Sequence, residues 1–360
     1  MAEETVTLPV SKEEQDREKS RKAVNQSYWS LVRHQFKKNK VSLLALYVVF
    51  FLFTIAIFAD FLANDKPIMA KHDGTLYFPV VKDYIVGLGL DRWNAELVNT
   101  DWKQLDEQGK LSSTVWTPIR YRSSNQDLEH NTAPPGGDHL LGTDAIGRDV
   151  LAGIIHGSRI ALTIGFLSMS IAILLGVLLG SLAGYYGGWV DVAISRLIEL
   201  VITFPTFFLI ITVVAMFQAG SIWLVMILIG LTSWPSLARF TRGEFLRIRN
   251  MEYVAAATAV GFSNTRIIFR QVLPNALAPL LVSIAFGIAS AILTEAGLSF
   301  LGFGVPPTIV TWGSVLADAR GNVSAWWLAV FPGLMIFLSV LCYNLVGDGL
   351  RDALDPRLRD

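Results

Sequence analysis

The sequence predicts an all-α protein that crosses a membrane six times. Almost uncharged stretches of roughly 18 residues or more can each cross about 30 Å of hydrocarbon as a helix. They cover residues 41–59, 160–186, 197–217, 221–238, 276–304 and 325–346. The composition agrees, since 52% of the residues are hydrophobic and only 17% are charged. Strands are excluded as spanning elements because an open sheet edge in lipid leaves backbone polar groups unsatisfied.

Composition and motifs exclude several classes of function. The formal net charge is zero, which in a membrane protein says nothing about nucleic acid; no nucleic-acid partner is expected, and the lipid bilayer is the expected surrounding. The single cysteine, Cys342, allows no disulfide within the chain. The sequence has no glycine-rich phosphate-binding loop and no paired histidine spacing, so we expect no nucleotide, metal or other cofactor in this chain. No Ser/His/Asp set falls within the spans, and no catalytic residue is predicted.

The charges of the loops predict the orientation. The loop 239–274 carries six arginines against two glutamates, and the stretches before the first span and after the last carry further arginines, with lysines in the first of them. With six spans these segments share one side, and basic loops mark the cytoplasmic side. The opposite loops, 218–220 and 306–324, carry few charges. We therefore expect both termini and the arginine-rich loop in the cytoplasm.

The stretch before the first span has an amphipathic helical pattern. Tyr28, Trp29, Val32 and Phe36 recur at helical spacing beside basic residues. This pattern favours a helix lying under the inner leaflet, with a disordered basic tail as the alternative. Residues 1–20 are charged and poor in aromatics, which predicts disorder.

The chain divides into five segments on this basis. Residues 1–40 form the tail and interfacial helix, 41–63 the first transmembrane helix, 64–157 an outer insertion, 158–350 the transmembrane core, and 351–360 the closing tail. The insertion is rich in turn residues and aromatics, so we expect a small folded cap outside the membrane. Either the cap only adds packing at the outer mouth of the bundle, or it is a docking or selectivity element for a periplasmic partner.

Few charged residues lie at membrane depth. Glu199 follows Arg196 by three residues, which favours a local ion pair over a substrate ligand. Glu295 is expected to form hydrogen bonds with neighbouring helices rather than to bind substrate. Pro205 predicts a kink in the third span. The kink either serves helix packing or acts as a gating hinge. Small residues at helical spacing predict close helix contact in the second span: Gly176, Gly180 and Gly184.

The arginine-rich loop predicts two short helices. Asn250 is a candidate N-cap and Glu252 places a negative charge in the first turn. Gly261 supplies a C-terminal stop. Ser263 or Asn264 can cap a second helix, which Pro274 is expected to end before the fifth span.

The first of these helices has a narrow face of small apolar residues. Its members recur at i, i+3, i+4 and i+7: Tyr253, Ala256, Ala257 and Val260. The area of this face is too small to fold the helix alone, so we expect a partner. We favour docking of this helix in a groove of another protein over a position on the lipid surface, because a lipid-binding face would carry Trp, Leu or Phe.

This loop resembles the EAA loop of type I ABC importer permeases, whose coupling helix sits in a cleft of the cytoplasmic ATPase. The family pattern is Glu-Ala-Ala, three residues, Gly and a distant Leu-Pro. Six positions of this chain correspond to it: Ala255, Ala256, Ala257, Gly261, Leu273 and Pro274. Ala255 stands where the family has Glu, which removes one possible polar contact and leaves the spacing unchanged.

The resemblance extends over most of the chain. Residues 141–149, 157–159, 184–188, 298–304 and 347–356 are similar to the C-type permease of dipeptide and oligopeptide importers. Shorter motifs at 63–67, 77–79 and 118–120 look like the microcin C-type branch. The resemblance implies a MetI-like fold with six transmembrane helices and an outer insertion between helices one and two.

The same resemblance implies the partners and the location. A family member lies in the bacterial inner membrane and pairs with a homologous second permease. Two ABC ATPase subunits bind ATP and Mg²⁺ and dock through the coupling helices, while a periplasmic binding protein delivers the peptide. The residues carried over for ATPase coupling are Glu252, Tyr253, Val254, Ala255, Ala256, Ala257, Val260, Gly261 and Pro274.

The substrate path is predicted only loosely. Candidates for lining it are Thr203, Phe204, Thr294 and Glu295. Peptides or peptide-like compounds such as microcin C are the expected cargo. A permease for nickel or another small solute is the alternative within the subfamily. A stand-alone secondary transporter and a structural subunit without transport are alternatives of other classes, although no inverted repeat or buried ionisable relay favours the former.

Overall fold

The computed structural model describes residues 28–94, 97–98, 100–217 and 221–354. Within these ranges the fold is helical apart from a small sheet. The helices are α1 Tyr28–Lys38, α2 Lys40–Ile57, α3 Ala59–Leu62, α4 Pro79–Gly87, α5 Trp102–Glu107, α6 Val150–Tyr186, α7 Gly188–Thr203, α8 Thr206–Met216, α9 Ile222–Arg249, α10 Glu252–Ala259, α11 Asn264–Ile267, α12 Leu273–Phe300, α13 Trp312–Asp318 and α14 Trp327–Leu354. The strands are β1 Met69–His72, β2 Thr75–Tyr77 and β3 Leu111–Val115.

The membrane-spanning part confirms the predicted fold class. Five helical segments are long and apolar enough to cross a bilayer: α2, α6, α9, the continuous segment Asn264–Phe300 that includes α12, and α14. The predicted third span is instead a pair of helices, α7 and α8, bent by 76°. The break lies at Phe204 and Pro205, where proline forces the preceding residue into an extended conformation. Counted as one broken span, the pair gives six.

The closest helix pair is α6 against α9, as the glycine spacing predicted. A Cβ atom added at Gly176 would lie 2.6 Å from Leu237 Cβ, and one at Gly180 would lie 2.5 Å from the Ala238 oxygen. No larger residue fits at such a contact without moving a backbone. These glycines therefore set the separation of the two helices that form the centre of the bundle.

Helix α6 begins at Val150, ahead of the boundary that the sequence predicts between insertion and core at residues 157 and 158. The Asp149 carboxylate starts the helix by accepting the Ala152 N–H at 2.7 Å. A helix of 37 residues is about 55 Å long, so it extends beyond the bilayer into the insertion. Polar and small residues interrupt the apolar run just before residue 160, which is why composition alone places the span from there: His156, Gly157, Ser158 and Arg159. At the other boundary, α14 continues past residue 350 to Leu354.

The insertion folds as a cap with a three-stranded antiparallel sheet in the order β2-β1-β3. This sheet qualifies the all-α prediction. Ala70 of β1 and Trp102 of α5 are fully buried in the cap. The cap joins the bundle through polar contacts; for example, the Trp327 indole N–H of α14 donates to the Thr143 oxygen at 3.0 Å.

The predicted N-terminal helix is present, but its contacts differ from the prediction. Val32 and Phe36 of α1 are buried against Ala353 near the end of α14. Their apolar face therefore packs on the protein's own last helix rather than on lipid. The predictions for residues 1–20, for the Tyr28 and Trp29 side chains, for loop 218–220 and for the tail after residue 354 lie outside the described residues.

Candidate functional site: a helical loop at one end of the bundle and a groove lined by hydroxyls

The N-cap of the short helix α10 lies one residue later in the chain than the sequence predicted. Met251 is the N-cap residue, with no side-chain hydrogen bond. Asn250 instead ends α9, and its side-chain amide donates to the Leu246 oxygen at 3.0 Å. The predicted N-cap role of Asn250 is therefore wrong. Helix α9 continues to Arg249, and Asn250 is its C-cap residue. Glu252 lies in the first turn of α10, as predicted.

The end of α10 follows the prediction, but the role of Pro274 does not. Gly261 has a φ of +85°, a left-handed conformation that favours glycine. Ser263 caps the next helix by accepting the Arg266 N–H at 3.4 Å. Pro274 lies in the first turn of α12, where its fixed φ and missing N–H are tolerated. It therefore starts the spanning helix, and α11 continues into it through a π-helical turn over residues 268–272.

Helix α10 packs on the bundle through only two of its residues. Val254 and Ala257 are buried with Phe245 and Ile248 of α9 and with apolar residues of the 267–276 segment. This cluster holds α10 within the chain itself. The expectation that a partner is needed to fold the helix is therefore not supported, since the tertiary contacts supply the missing burial.

The outward surface of α10 differs in part from the predicted face. Ala257 points inward, whereas Tyr253, Ala256 and Val260 are exposed. The residues opposite the buried pair are also exposed and small or acidic: Glu252, Ala255, Ala256 and Ala259. We call these four residues the outward face. Ala259 was not among the predicted residues, and Ala255, the position that departs from the EAA pattern, lies on this face.

Polar contacts connect the loop to the neighbouring helices. The Tyr185 hydroxyl of α6 donates to Asn264 Oδ1 at 3.0 Å. Arg249 of α9 donates to the Tyr185 oxygen at 2.7 Å. Arg242 of α9 forms a two-bond ion pair with Asp191 of α7. Planar guanidinium–carboxylate pairs of this kind fix geometry as well as charge. The α10 loop is thus tied to α6, α7, α9 and α12 at one end of the bundle.

A groove of about 570 Å³ lies among α6, α8, α9 and α12. Its lining combines apolar side chains with hydroxyls, and among the described residues that line it none carries a charge. The hydroxyl residues are Thr206, Thr232, Ser233, Ser236, Ser283, Ser290 and Thr294. We call this feature the hydroxyl groove.

Several of these hydroxyls are oriented by their own helices. Ser233 donates to the Ile229 oxygen at 2.7 Å, Thr232 to the Leu228 oxygen at 2.8 Å, and Thr294 to the Ser290 oxygen at 2.8 Å. Because the proton is used in each bond, the oxygen lone pairs remain free to accept. The groove can therefore receive N–H donors without placing a full charge in the membrane.

The predicted path residues are only partly brought together. Thr294 lines the hydroxyl groove. Thr203 and Phe204 are exposed at the break between α7 and α8, just before groove residue Thr206. Glu295 does not reach the groove: it is buried and accepts from Ser299 Oγ at 2.6 Å. Adjacent helical residues point in different directions, so Thr294 and Glu295 cannot share one face.

The structural interpretations of the two membrane glutamates are confirmed. Arg196 Nη1 lies 2.6 Å from Glu199 Oε2, and both side chains are exposed. Glu295 has hydrogen-bonding partners in its own helix and in Thr311, the residue before α13. Neither carboxylate lies in the hydroxyl groove.

The hydroxyl groove was missed from sequence, although a signal was present. Ser283, Ser290 and Thr294 follow one another at seven and four residues within an apolar span, which places them on one helix face. A polar stripe of this kind in a membrane helix indicates a surface turned away from lipid. Only the fold shows that Thr232 and Ser233 of another helix meet it.

Two family models match the sequence. The model described as binding-protein-dependent transport system inner membrane component matches residues 176–360. The model described as the N-terminal TM domain of oligopeptide transport permease C matches residues 27–76. Together they cover the first span and most of the core.

Curated relatives match along more of the chain. The inner membrane ABC transporter permease protein YejE of Escherichia coli (strain K12) is 37% identical over 92% of this chain and 97% of that protein. The dipeptide transport system permease protein DppC of Alkalihalophilus pseudofirmus is 42% identical over 68% of this chain and 81% of that protein. Among solved structures, the inward-facing MetNI methionine ABC transporter aligns at 16% identity with a TM-score of 0.47, covering 56% of this chain and 95% of that chain.

One family model covers more than half of the residues, and the Escherichia coli relative aligns along almost the whole length. The chain therefore belongs to the family of binding-protein-dependent transport system inner membrane components, the permeases of ABC transporters.

Proposed function

We propose that this chain is one permease subunit of an ATP-driven importer that carries peptides across the bacterial inner membrane. In this proposal a homologous second permease completes the pathway. Two ATPase subunits bind ATP and Mg²⁺ on the cytoplasmic side, where both termini and the α10 loop lie. A periplasmic binding protein delivers the substrate to the opposite side. The chain itself does no chemistry.

The observation that carries the proposal is the rigid mounting of α10 with its outward face free. Val254 and Ala257 fix the helix to α9 and α12, while Ala255 and Ala256 are exposed. Alanine side chains let another protein approach the helix backbone closely. A push on this face would be transmitted to α9 and α12 because the cluster is close-packed. Rigid-body movement of those helices would then change access to the groove.

The hydroxyl groove supports a peptide as the cargo. A peptide backbone presents N–H groups whatever its side chains, and hydroxyls whose protons are already used can accept from them. An uncharged lining also tolerates varied side chains, which suits a path whose selectivity lies in a separate binding protein. The relatives named for dipeptide and glutathione transport agree with this substrate class.

Substitution of Ala256 tests the coupling role. Ala256→Arg places a long cation on the outward face, so it should disrupt ATPase docking without disturbing the buried cluster. We expect ATP-dependent uptake of labelled di- to oligopeptides in proteoliposomes to fall at least about tenfold, which is the effect of roughly 1.4 kcal/mol of lost interaction. Thermal unfolding of the isolated subunit should be unchanged.

Phe269→Arg is the matched control. Phe269 is also exposed and lies in the same loop segment, but it is outside the outward face. Uptake should stay near the parental rate in this variant. Unchanged uptake in Ala256→Arg would contradict the coupling proposal.

The substrate is tested separately. Labelled peptides of two to about eight residues and nickel should be offered to a deletion strain complemented with the parental gene. Peptide uptake that requires the gene supports the proposal, whereas uptake of nickel alone supports the small-solute alternative. Uptake that persists without any ATPase would contradict an ABC importer altogether.

A further inference from the structure

Helix α4 of the insertion has its apolar face turned outward. Its two charged residues are both paired within the cap: Lys66 Nζ lies 2.7 Å from Asp83, and Lys82 Nζ lies 3.4 Å from Asp91. Pro79 and Val80 are buried. The exposed side chains are apolar or aromatic, and include Phe78 just before the helix: Phe78, Val81, Tyr84, Ile85 and Leu88. We call these five residues the α4 apolar face.

This arrangement reverses the usual orientation of a surface helix. A helix at a protein–water boundary turns its apolar stripe to the core and its charges to solvent. Here Leu88 is 73% exposed, while Lys82 and Asp83 are only partly exposed and each is paired with another residue of the cap. A contiguous exposed apolar surface of this kind marks contact with a protein or a membrane.

The position of α4 indicates whether its apolar face contacts a protein or the membrane. The Tyr84 hydroxyl donates to Asp60, which follows the end of α2 by three residues. The Tyr84 ring stacks on Phe61 with the ring centroids 6.4 Å apart. Ile57 and Phe58, at the end of α2, are themselves more than half exposed. The α4 apolar face is therefore continuous with the exposed surface of a bilayer-spanning helix, at the level where that helix leaves the hydrocarbon.

The polar contacts hold α4 at this level. Arg159 of α6 donates to the Ala56 oxygen at 2.9 Å and to Asp60 at 2.8 Å. It thus satisfies a carbonyl at the end of α2 and fixes the carboxylate that receives Tyr84. Trp93 lies beside α4, donates its indole N–H to Asp83 at 2.8 Å, and lies under Lys66 and Lys82. Tryptophan side chains are enriched at the membrane–water interface.

We propose that the α4 apolar face rests in the headgroup and upper acyl region of the leaflet on the insertion side. The partner is the lipid bilayer, and α4 anchors the cap to it. The absence of any charged group on the face among the described residues, and its continuity with α2, favour lipid over a protein that would be steered by charge.

The test uses the full chain in its assembled transporter, reconstituted in phosphatidylcholine vesicles. In a Cys342→Ala background, Leu88→Cys is labelled with an environment-sensitive fluorophore. Leu128→Cys is the control, because Leu128 is also an exposed leucine of the cap, 69% accessible, but lies outside the α4 face. Brominated acyl chains should quench the Leu88 probe several-fold more than the Leu128 probe. Aqueous iodide should show the reverse order.

Two results would overturn the proposal. Equal iodide quenching at both positions, with no effect of brominated lipid, would place α4 in water. Protection of the Leu88 probe from both quenchers would mean that a protein covers the face. If Leu88→Cys fails to assemble, Ile85→Cys on the same face gives the same readings.

Discussion

The two ends of the bundle differ in how deeply their charged contacts are buried. At the insertion end, Arg148 and Asp144 form a pair at 2.6 Å whose side chains are 11% and 2% exposed. At the α10 end, the side chains of the Arg242–Asp191 pair are 33% and 20% exposed, and the apolar cluster around Phe245 and Val254 carries the packing. A buried directional pair specifies one geometry, whereas a close-packed cluster lets α9 and α10 move together as one body. We therefore expect the cap to stay fixed while α9 and α10 move as a unit.

The largest expected effect is at the insertion end. Asp144 is almost fully buried and accepts the backbone N–H groups of Ile146 and Arg148 as well as the Arg148 side chain. Asp144→Ala should lower the free energy of unfolding by about 3 kcal/mol, because a mostly buried guanidinium and two backbone N–H groups lose their nearest acceptor. Thermal unfolding of the purified transporter measures this. A loss below about 1 kcal/mol would remove the argument that the cap is held by this pair.

Asp318→Ala is the matched control for that substitution. Burial raises the pKa of Asp318 to about 6, with Asp144 contributing as a like charge and Arg148 opposing. Because the folded state binds this proton more tightly than the unfolded state, whose reference pKa is 3.8, the stabilising contribution is present below that value and is lost as the pH rises to about 6. Asp318→Ala should therefore remove the cost of a partly buried carboxylate at pH 7.5, so it should not destabilise the fold there, and it should flatten the pH dependence between pH 4 and 7.

The next largest effect tests the α6–α9 contact at the α10 end. A Cβ at Gly184 would lie 2.6 Å from Phe245 Cβ and 2.7 Å from the Arg242 oxygen. Gly184→Val should therefore cost about 1–3 kcal/mol through overpacking and should reduce uptake, because it moves α9, on which α10 is mounted. Uptake assays with thermal unfolding measure both.

Gly243→Ala is the control for this prediction. Gly243 is helical, and an added Cβ there would meet nothing within 4 Å. The substitution should be neutral or stabilise by about 0.5–1 kcal/mol through helix propensity. Equal damage from both substitutions would mean that helix backbone effects, rather than the close contact, decide the outcome.

The smallest effect concerns the outward face of α10. Ala255→Glu restores the residue of the EAA pattern at an exposed position. It should leave stability within about 0.5 kcal/mol of the parent, as an exposed substitution usually does. If the outward face contacts an ATPase, the transport-coupled ATPase rate should change in this variant. Thr258→Glu, at an exposed position on the flank of α10, should change the ATPase rate less than Ala255→Glu does.

The sequence predicted the features that depend on local chemistry. Runs of apolar residues indicated where spans lie because hydrocarbon thickness sets their length. Pro205 predicted the break in the third span, and Gly176 and Gly180 predicted the close helix pair, because the steric limits of proline and glycine act at their own positions. The ion pair of Arg196 with Glu199 followed from helical spacing alone.

The tertiary structure decided which side of each element meets a neighbour. Helical spacing grouped Ala256 with Ala257, but the cluster around Phe245 buries only Ala257. Thr294 faces the groove and Glu295 does not, since the orientation of α12 about its axis is set by packing. The outward apolar face of α4 arises in the same way, through charge pairs with residues distant in sequence. Periodicity determines which residues share a face, whereas the fold alone determines what that face contacts.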